Sequence, residues 1–254
     1  MCGRYSLTKL ENLLRQFAFL RFFPGPVPVP EPPDRPRYNI APTQPVLVIA
    51  NNHPDRLEHF RWGLIPSWAK DASIGSRLIN ARAETLATKP AFRTALRRRR
   101  CLVPADGFFE WRVEPVQAQG RPVRQAQGKP GKTKTPMYIR LKGGGLFAFA
   151  GLWDVWHSPD GSEIPSCTLI TGEPNELVKP IHDRMPVILP KEAYGQWLNP
   201  KEQEPAALTE LLQPYPASKM EAYPVSRAVN SPKNDSPACI EPALAAPGLF
   251  ADDA

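Results

Sequence analysis

Met1-Cys2-Gly3-Arg4-Tyr5 is the stretch from which the rest of this chain is read. Removal of the initiator methionine leaves Cys2 at the N-terminus, with an α-amine and a thiol on adjacent carbons. Their reference pKa values, about 7.7–8.0 and about 8.5, give both groups reactive fractions near neutrality. A neutral amine attacks an aldehyde to give an imine, and the neighbouring thiol can then close a five-membered thiazolidine. An internal cysteine has no such chemistry, because its nitrogen belongs to a peptide bond. Termini ordinarily fray, and position 2 taken alone favours that bland reading. The remainder of the chain reverses it.

Behind Cys2, Thr8-Lys9-Leu10-Glu11 reads as a capping box. Leu10, Leu13, Leu14 and Phe17 follow at helical spacing, which predicts a helix over residues 9–20 with its apolar face on the core. A proline-dense connector at residues 24–36 forbids regular structure. Val46-Leu47-Val48-Ile49-Ala50 has the β-branched character of a buried strand, and residues 57–62 can return as its hairpin partner. Pro90 stands where helices accept proline, at the start of a helix over residues 91–100. That helix ends in Arg97-Arg98-Arg99-Arg100, read as a solvated helix end in preference to a phosphate patch, because a helical run points in several directions.

Between residues 113 and 135 the texture changes. Gln117-Ala118-Gln119-Gly120-Arg121-Pro122 recurs as Gln125-Ala126-Gln127-Gly128-Lys129-Pro130, with almost no large apolar residue. Such sequence cannot bury enough surface to order itself and reads as a flexible, dispensable insertion. Further strands are expected at 136–141, 146–153, 167–171 and 187–189, with short helices at 175–179, 191–198 and 206–212. The organisation expected is a single domain over residues 1–240 and a loose tail at 241–254.

With 254 residues, 42% of them hydrophobic, the chain can bury a large core, and its 32 prolines demand many turns. No stretch reaches transmembrane length, so no membrane association is expected. Cys2, Cys101, Cys167 and Cys239 form no CxxC pair and the four histidines are dispersed, so neither a disulfide framework nor a metal site is expected. A cytoplasmic, reducing compartment fits. The net charge of +7 permits a polyanionic partner without demanding one.

Three polar residues stand in settings that a structural role explains poorly. Asn80 lies between an apolar pair and Ala81-Arg82, and His182 stands beside Asp183 and Arg184, able to exchange protons near neutrality. Glu110 is flanked by Phe108, Phe109 and Trp111, and burial there would raise its pKa and suit it to acid–base work.

Taken together, these elements closely resemble the SRAP family, the SOS-response-associated peptidases also known as abasic-site processing proteins. The resemblance runs through Met1-Cys2-Gly3-Arg4-Tyr5, Arg37-Tyr38-Asn39-Ile40-Ala41-Pro42 and Trp62-Gly63-Leu64-Ile65-Pro66-Ser67-Trp68. It continues through Asn80-Ala81-Arg82-Ala83-Glu84-Thr85, Gly107-Phe108-Phe109-Glu110-Trp111, His182-Asp183-Arg184-Met185-Pro186 and Pro224-Val225-Ser226. It implies an α+β fold with a partly closed β-barrel, peripheral helices and a positively charged groove for single-stranded DNA. It further implies self-removal of Met1 and capture of an abasic-site aldehyde as a thiazolidine at Cys2, with a lyase-like step and a reversal. By motif, Asn80 positions the Cys2 amine, Glu110 is the acid–base group, and His182 assists proton transfer. Arg4, Asn39, Arg82 and Arg184 are implied DNA contacts, and Trp68 a surface on which a base stacks. The partner implied is abasic single-stranded DNA, bound by a monomer without cofactor and nucleoid-associated when bound. Two other readings stay open: a cysteine peptidase acting on other proteins, and a non-catalytic basic module for single-stranded DNA.

Overall fold

The structure, a computed structural model, describes residues 2–17, 21–22, 35–115 and 132–243. In chain order its strands are β1 (Tyr5–Leu7), β2 (Arg21–Phe22), β3 (Arg37–Ile40), β4 (Pro45–Ala50), β5 (Arg56–Trp62), β6 (Asn80–Arg82) and β7 (Arg100–Ala105). They continue as β8 (Gly107–Pro115), β9 (Lys132–Leu141), β10 (Phe147–His157), β11 (Glu163–Gly172), β12 (Met185–Pro186), β13 (Ile188–Leu189) and β14 (Met220–Pro224). The helices are short: α1 (Leu10–Gln16), α2 (Arg93–Arg98), α3 (Tyr194–Leu198) and α4 (Pro205–Glu210).

Two sheets make an α+β fold. Strands β5, β4, β7, β10 and β11 pair antiparallel in that order. A short parallel seam, Ser166↔Arg61 and Cys167↔Trp62, joins β11 back to β5 and closes a five-stranded barrel. Closure removes the free edges that an open sheet would expose. The second sheet has the order β14-β9-β8-β1-β3, so the strand nearest the N-terminus is interior rather than peripheral. Tyr5 on β1 locks the two sheets together. Its ring is fully buried and meets Trp62 at 5.3 Å and Phe149 at 5.7 Å, both edge-on. Burying a ring of this size with such contacts gives a terminal segment the energy to stay put.

The expected β4–β5 hairpin is present, and the chain runs from residue 46 to 50 fully buried. Other expectations need correction. Helix α1 begins at Leu10 without a side-chain cap. The Thr8 hydroxyl donates instead to Asp106 Oδ2 at 2.6 Å, because a buried carboxylate is a stronger acceptor than the frayed start of a short helix. Residues 18–20 of the expected helix and 24–34 of the proline-dense connector lie outside the described residues. Residues 175–179 form hydrogen-bonded turns rather than a helix, with the Asn175 side chain accepting from the Val178 amide at 3.0 Å. Strands β9 and β10, on either side of the three glycines 143–145, belong to different sheets.

The arginine run also divides. Helix α2 stops at Arg98, and Arg100 begins β7 fully buried. Its guanidinium donates to the carbonyls of Leu96, Arg97, Trp197 and Asn199 at 2.9, 2.5, 2.7 and 2.5 Å. It thus satisfies carbonyls at the ends of α2 and α3 that have no intrahelical partner. A solvated helix end describes Arg97 and Arg98, but not Arg100.

The expected insertion is narrower than 113–135. Residues Val113, Glu114 and Pro115 pair with Lys134, Thr133 and Lys132 as the regular end of the β8–β9 ladder, and residues 116–131 lie outside the described residues. Because the ladder is in register up to Pro115↔Lys132, a two-residue Asn-Gly turn replacing 116–131 suits it. The expected outcome is a melting temperature unchanged or raised, since a shorter loop costs less entropy to close. A fall of several degrees in thermal unfolding would show that the segment packs on the domain.

Candidate active site

The site is assembled across the junction of the two sheets. The small sheet supplies Cys2, just ahead of β1, and Glu110 on β8. The barrel supplies Asn80 through β6, which pairs parallel with β11 in the register Leu169↔Asn80. His182 comes from the loop between β11 and β12, whose amide donates to Val178 O at 2.9 Å.

The N-terminal segment is held by a buried carboxylate. Asp106 accepts from Ser6 Oγ (2.6 Å), Thr8 N (2.5 Å), Thr8 Oγ1 (2.6 Å) and Lys9 N (3.2 Å). Ser6 Oγ also lies 2.8 Å from the Tyr138 hydroxyl. Asp106 immediately precedes the motif Gly107-Phe108-Phe109-Glu110-Trp111, and only the chain reversal between β7 and β8 reveals what it is for.

Cys2 is fully buried, and its carbonyl accepts from Asn80 Nδ2 at 2.8 Å. The other end of that carboxamide, Asn80 Oδ1, is a buried acceptor with no hydrogen-bond partner among the described residues. A carboxamide that grips the Cys2 carbonyl by its nitrogen therefore keeps an acceptor free beside the terminal residue. Burial pushes the Cys2 thiol pKa up, and the negative charge of Glu110 adds to the effect. The thiol is neutral at physiological pH. A peptidase of the thiolate type needs the opposite shift.

Glu110 is 2% exposed, but not for the reason its sequence neighbours suggest. Alternation along β8 turns Phe109 to the opposite face, where it packs with Tyr138, Val225 and Val229, and Trp111 packs against that same cluster. Phe108 and Met137 share the barrel-facing core instead, and Met137 is the cross-strand partner of Glu110. Burial between the sheets raises the Glu110 carboxyl to about 7, with the charge of Asp183 contributing in the same direction. A carboxyl titrating there both gives and takes protons at neutral pH.

His182 Nε2 lies 3.9 Å from Glu110 Oε2. On its far side, Nδ1 is 3.0 Å from the Arg184 amide nitrogen and 2.9 Å from Asp183 Oδ1. One nitrogen cannot accept the first and donate to the second at once. Neutral imidazole accepts from the amide, which puts its proton on Nε2, facing Glu110; protonated imidazole turns to Asp183. Burial lowers the His182 pKa, so the neutral form prevails at pH 7.

The expected DNA contacts fall into two groups. Trp68, 60% exposed, and Arg82, also exposed, face solvent. The others are engaged in the protein. Arg4 donates to Val229 O at 2.7 Å and to Asn39 Oδ1 at 3.1 Å. Asn39 is fully buried and its amide nitrogen serves the carbonyls of Val229, Ser231 and Asn234, so it stands inside the wall of the site. Arg184 makes a two-pronged pair with Glu84 at 2.6 and 2.9 Å and donates to Thr171 O at 2.5 Å. Glu84, like Asp106, was overlooked in the sequence: it stands in the motif Asn80-Ala81-Arg82-Ala83-Glu84-Thr85, but only the fold brings it to Arg184.

A closed barrel that holds a second-position cysteine against a carboxyl, an imidazole and a carboxamide defines a narrow class of protein. The chain belongs to the SOS response associated peptidase (SRAP) family, whose model matches residues 1–232. It is 50% identical over 244 residues to the abasic site processing protein YoqW of Bacillus subtilis, covering 95% of this chain and 99% of that one. It is 33% identical over 263 residues to the abasic site processing protein HMCES of Gallus gallus, covering 95% of this chain and 78% of that one. A crystal structure of a Bacteroides thetaiotaomicron protein superposes with a TM-score of 0.79 at 28% identity, covering 96% of this chain and all of that one.

The raised Glu110 pKa has a consequence for stability. A carboxyl lifted from 4.5 to about 7 on folding favours the native state while protonated; that contribution is full below about pH 4.5 and lost as pH rises through 7. Glu110→Gln removes this dependence. The variant is expected to be more stable than the parent at pH 8, by ~3 kcal/mol at most, with the gap closing by pH 5. Urea unfolding across that range checks it, and a gap that does not vary with pH would contradict the buried, titrating carboxyl.

Proposed function

We propose that this protein processes abasic sites in single-stranded DNA, joining them covalently to Cys2 as a thiazolidine. The observation that carries the reading is the convergence on residue 2 of a carboxyl raised to about 7, a neutral imidazole and a carboxamide on the Cys2 carbonyl. The names of its relatives, abasic site processing proteins, supply the substrate class.

Hydrolysis of the Met1–Cys2 peptide bond first frees the amine, a self-cleavage consistent with the peptidase in the family's name. Protonated Glu110 then gives its proton to the ring oxygen of the abasic sugar as the C1′–O bond breaks, and the C1′ hydroxyl proton returns to the carboxylate by way of water, leaving the open aldehyde and a protonated Glu110. The Cys2 amine adds to C1′, water leaves, and an imine forms. Sγ next adds to the same carbon while its proton passes to nitrogen, closing the five-membered ring. A neutral thiol fits this order, because the amine is the first nucleophile and the thiol acts only intramolecularly. Asn80 orients the terminal residue. In reversal the thiazolidine opens to the imine, and His182 orients through its Nε2–H the water that hydrolyses it, whose proton passes to the Glu110 carboxylate. Trp68 offers a stacking face, and Arg82 a cation for phosphate. The protein acts in the cytoplasm as a monomer, nucleoid-associated when bound, wherever single-stranded DNA is exposed.

The test is a denaturing gel of the processed protein with abasic single-stranded DNA. A heat-stable shifted band is expected, lost when the α-amine is acetylated. Cys2→Ala should leave only an imine, trappable by borohydride. A stable adduct with the acetylated protein would overturn the mechanism.

Formation and reversal share the imine but need not share a limiting group. His182→Ala is expected to crosslink at near the parental rate and to release DNA several-fold more slowly. A chase with competing abasic strands of a second length measures the release. Transfer at the parental rate would remove this role from His182.

A further inference from the structure

The arginine run is split by the fold into three environments, and one of them makes no ion pair among the described residues. Arg100 is consumed by four carbonyls, and Arg99 is paired with Asp154. Arg93, Arg97 and Arg98 are exposed, and among the described residues none of them has an ion pair with a carboxylate. Arg93 and Arg97 are one helical turn apart and share a face, where like charges repel. With Thr94 and Ala87 they and Arg98 line an open concavity of about 400 Å³. The opposite face of α2 buries Ala95 and Leu96. Arg100 ties the Leu96 and Arg97 carbonyls from beneath, so the guanidinium cluster stands on a rigid base. The charge of Glu202 is felt at Arg100.

A second observation connects this face to the site. The Asp154 carboxylate that pairs with Arg99 also accepts from the Ser67 amide at 2.9 Å, and Trp156 Nε1 donates to Ala69 O at 2.7 Å. Trp68 lies between those two anchors and is 60% exposed. The loop that presents the aromatic ring is thus fastened to the end of the arginine run. An exposed ring followed by clustered, unpaired guanidiniums on a fixed scaffold is the arrangement that binds a single strand, with bases stacking and phosphates neutralised.

We propose that Arg93, Arg97 and Arg98 on α2 form a second DNA-backbone site, holding phosphates of the strand after it passes Trp68. The proposal rests on the function given above for its choice of polyanion. It extends the contact surface well beyond the abasic nucleotide and leaves the covalent chemistry untouched.

The variant is Arg93→Gln/Arg97→Gln/Arg98→Gln, whose three side chains are exposed, so folding is expected to persist and is checked by its melting curve. Noncovalent affinity is measured over a range of salt with intact single-stranded DNA of two lengths, one too short to extend beyond Trp68 and one several times longer. For the long strand the variant should bind more weakly, and its log–log salt slope should be shallower by about 0.7 for each phosphate no longer neutralised. For the short strand, parent and variant should agree, and both should crosslink a short abasic strand equally at saturation. Equal salt slopes on the long strand would overturn the α2 site, as would a variant that loses binding to polyglutamate but not to DNA. Failure of the parent to crosslink the short abasic strand would instead sink the function proposed above, and the long-strand comparison would still decide α2.

Discussion

The buried Asp106 carboxylate is the interaction on which the site depends. A chain terminus ordinarily frays, because the few residues involved cannot offset their own conformational entropy. Here β1 is three residues long, and its ladders to β8 and to β3 span two residue pairs each. Backbone pairing of that extent is too little to hold a terminus. Four hydrogen bonds to one carboxylate, with the Tyr5 ring seated between Trp62 and Phe149, supply the rest. Bonds to a charged acceptor contribute about 1.5–3 kcal/mol each when well made. Cys2 can therefore serve as a fixed group even though it stands at the end of the chain.

That fixed position has an electrostatic cost, and the cost is what makes the site useful. Placing Glu110 between two sheets disfavours its charged form, and burial, with the carboxyl charge adding to it, keeps the Cys2 thiol neutral. The Glu110 carboxyl, titrating at about 7, gives or takes a proton near neutral pH with little driving force in either direction, which is the condition for efficient acid–base work, while the buried thiol keeps its proton. The Arg184 pair with Glu84 contributes by fixing the backbone whose amide selects the His182 tautomer. The imidazole then presents Nε2–H toward Glu110 rather than away from it.

How much of this the sequence revealed depended on the range of the interaction. Runs that bury both faces, such as Val46-Leu47-Val48-Ile49-Ala50, announced themselves as strands because burial is written locally in residue type. Cys2, Asn80, Glu110 and His182 were legible as an ordered set of motifs. The reason for Glu110's burial was not: Phe109 is its sequence neighbour, but the pleat turns that ring to the other face, and the enclosure comes from the opposing sheet. Thr8 read as a cap because its rival acceptor, Asp106, lies 98 residues away. Asn39 and Arg184 read as DNA contacts while their carbonyl and carboxylate partners were invisible along the chain. Polar residues chose long-range partners in each case, and local rules have no access to those.

The arginine run shows the same limit and what the fold adds to it. Four identical side chains in succession carry no information about their separate roles, so a reading by composition gives them one role. The end of α2 and the start of β7 fall inside the run, and that change of backbone sends consecutive side chains to unlike places. Arg100 turns inward, where its planar fork can satisfy four carbonyls, a task for which a lysine has too few donors and the wrong shape. Arg99 takes a carboxylate that also fixes the Trp68 loop. Arg97 and Arg98 stay with the helix and face solvent without an ion pair among the described residues. Hydrogen bonds to four carbonyls explain the first, ion pairing the second, and only an external anion gives the last two a comparable return. The positive charge of the chain is thus structural at one end of the run and available to a partner at the other, and the division lies at a helix terminus.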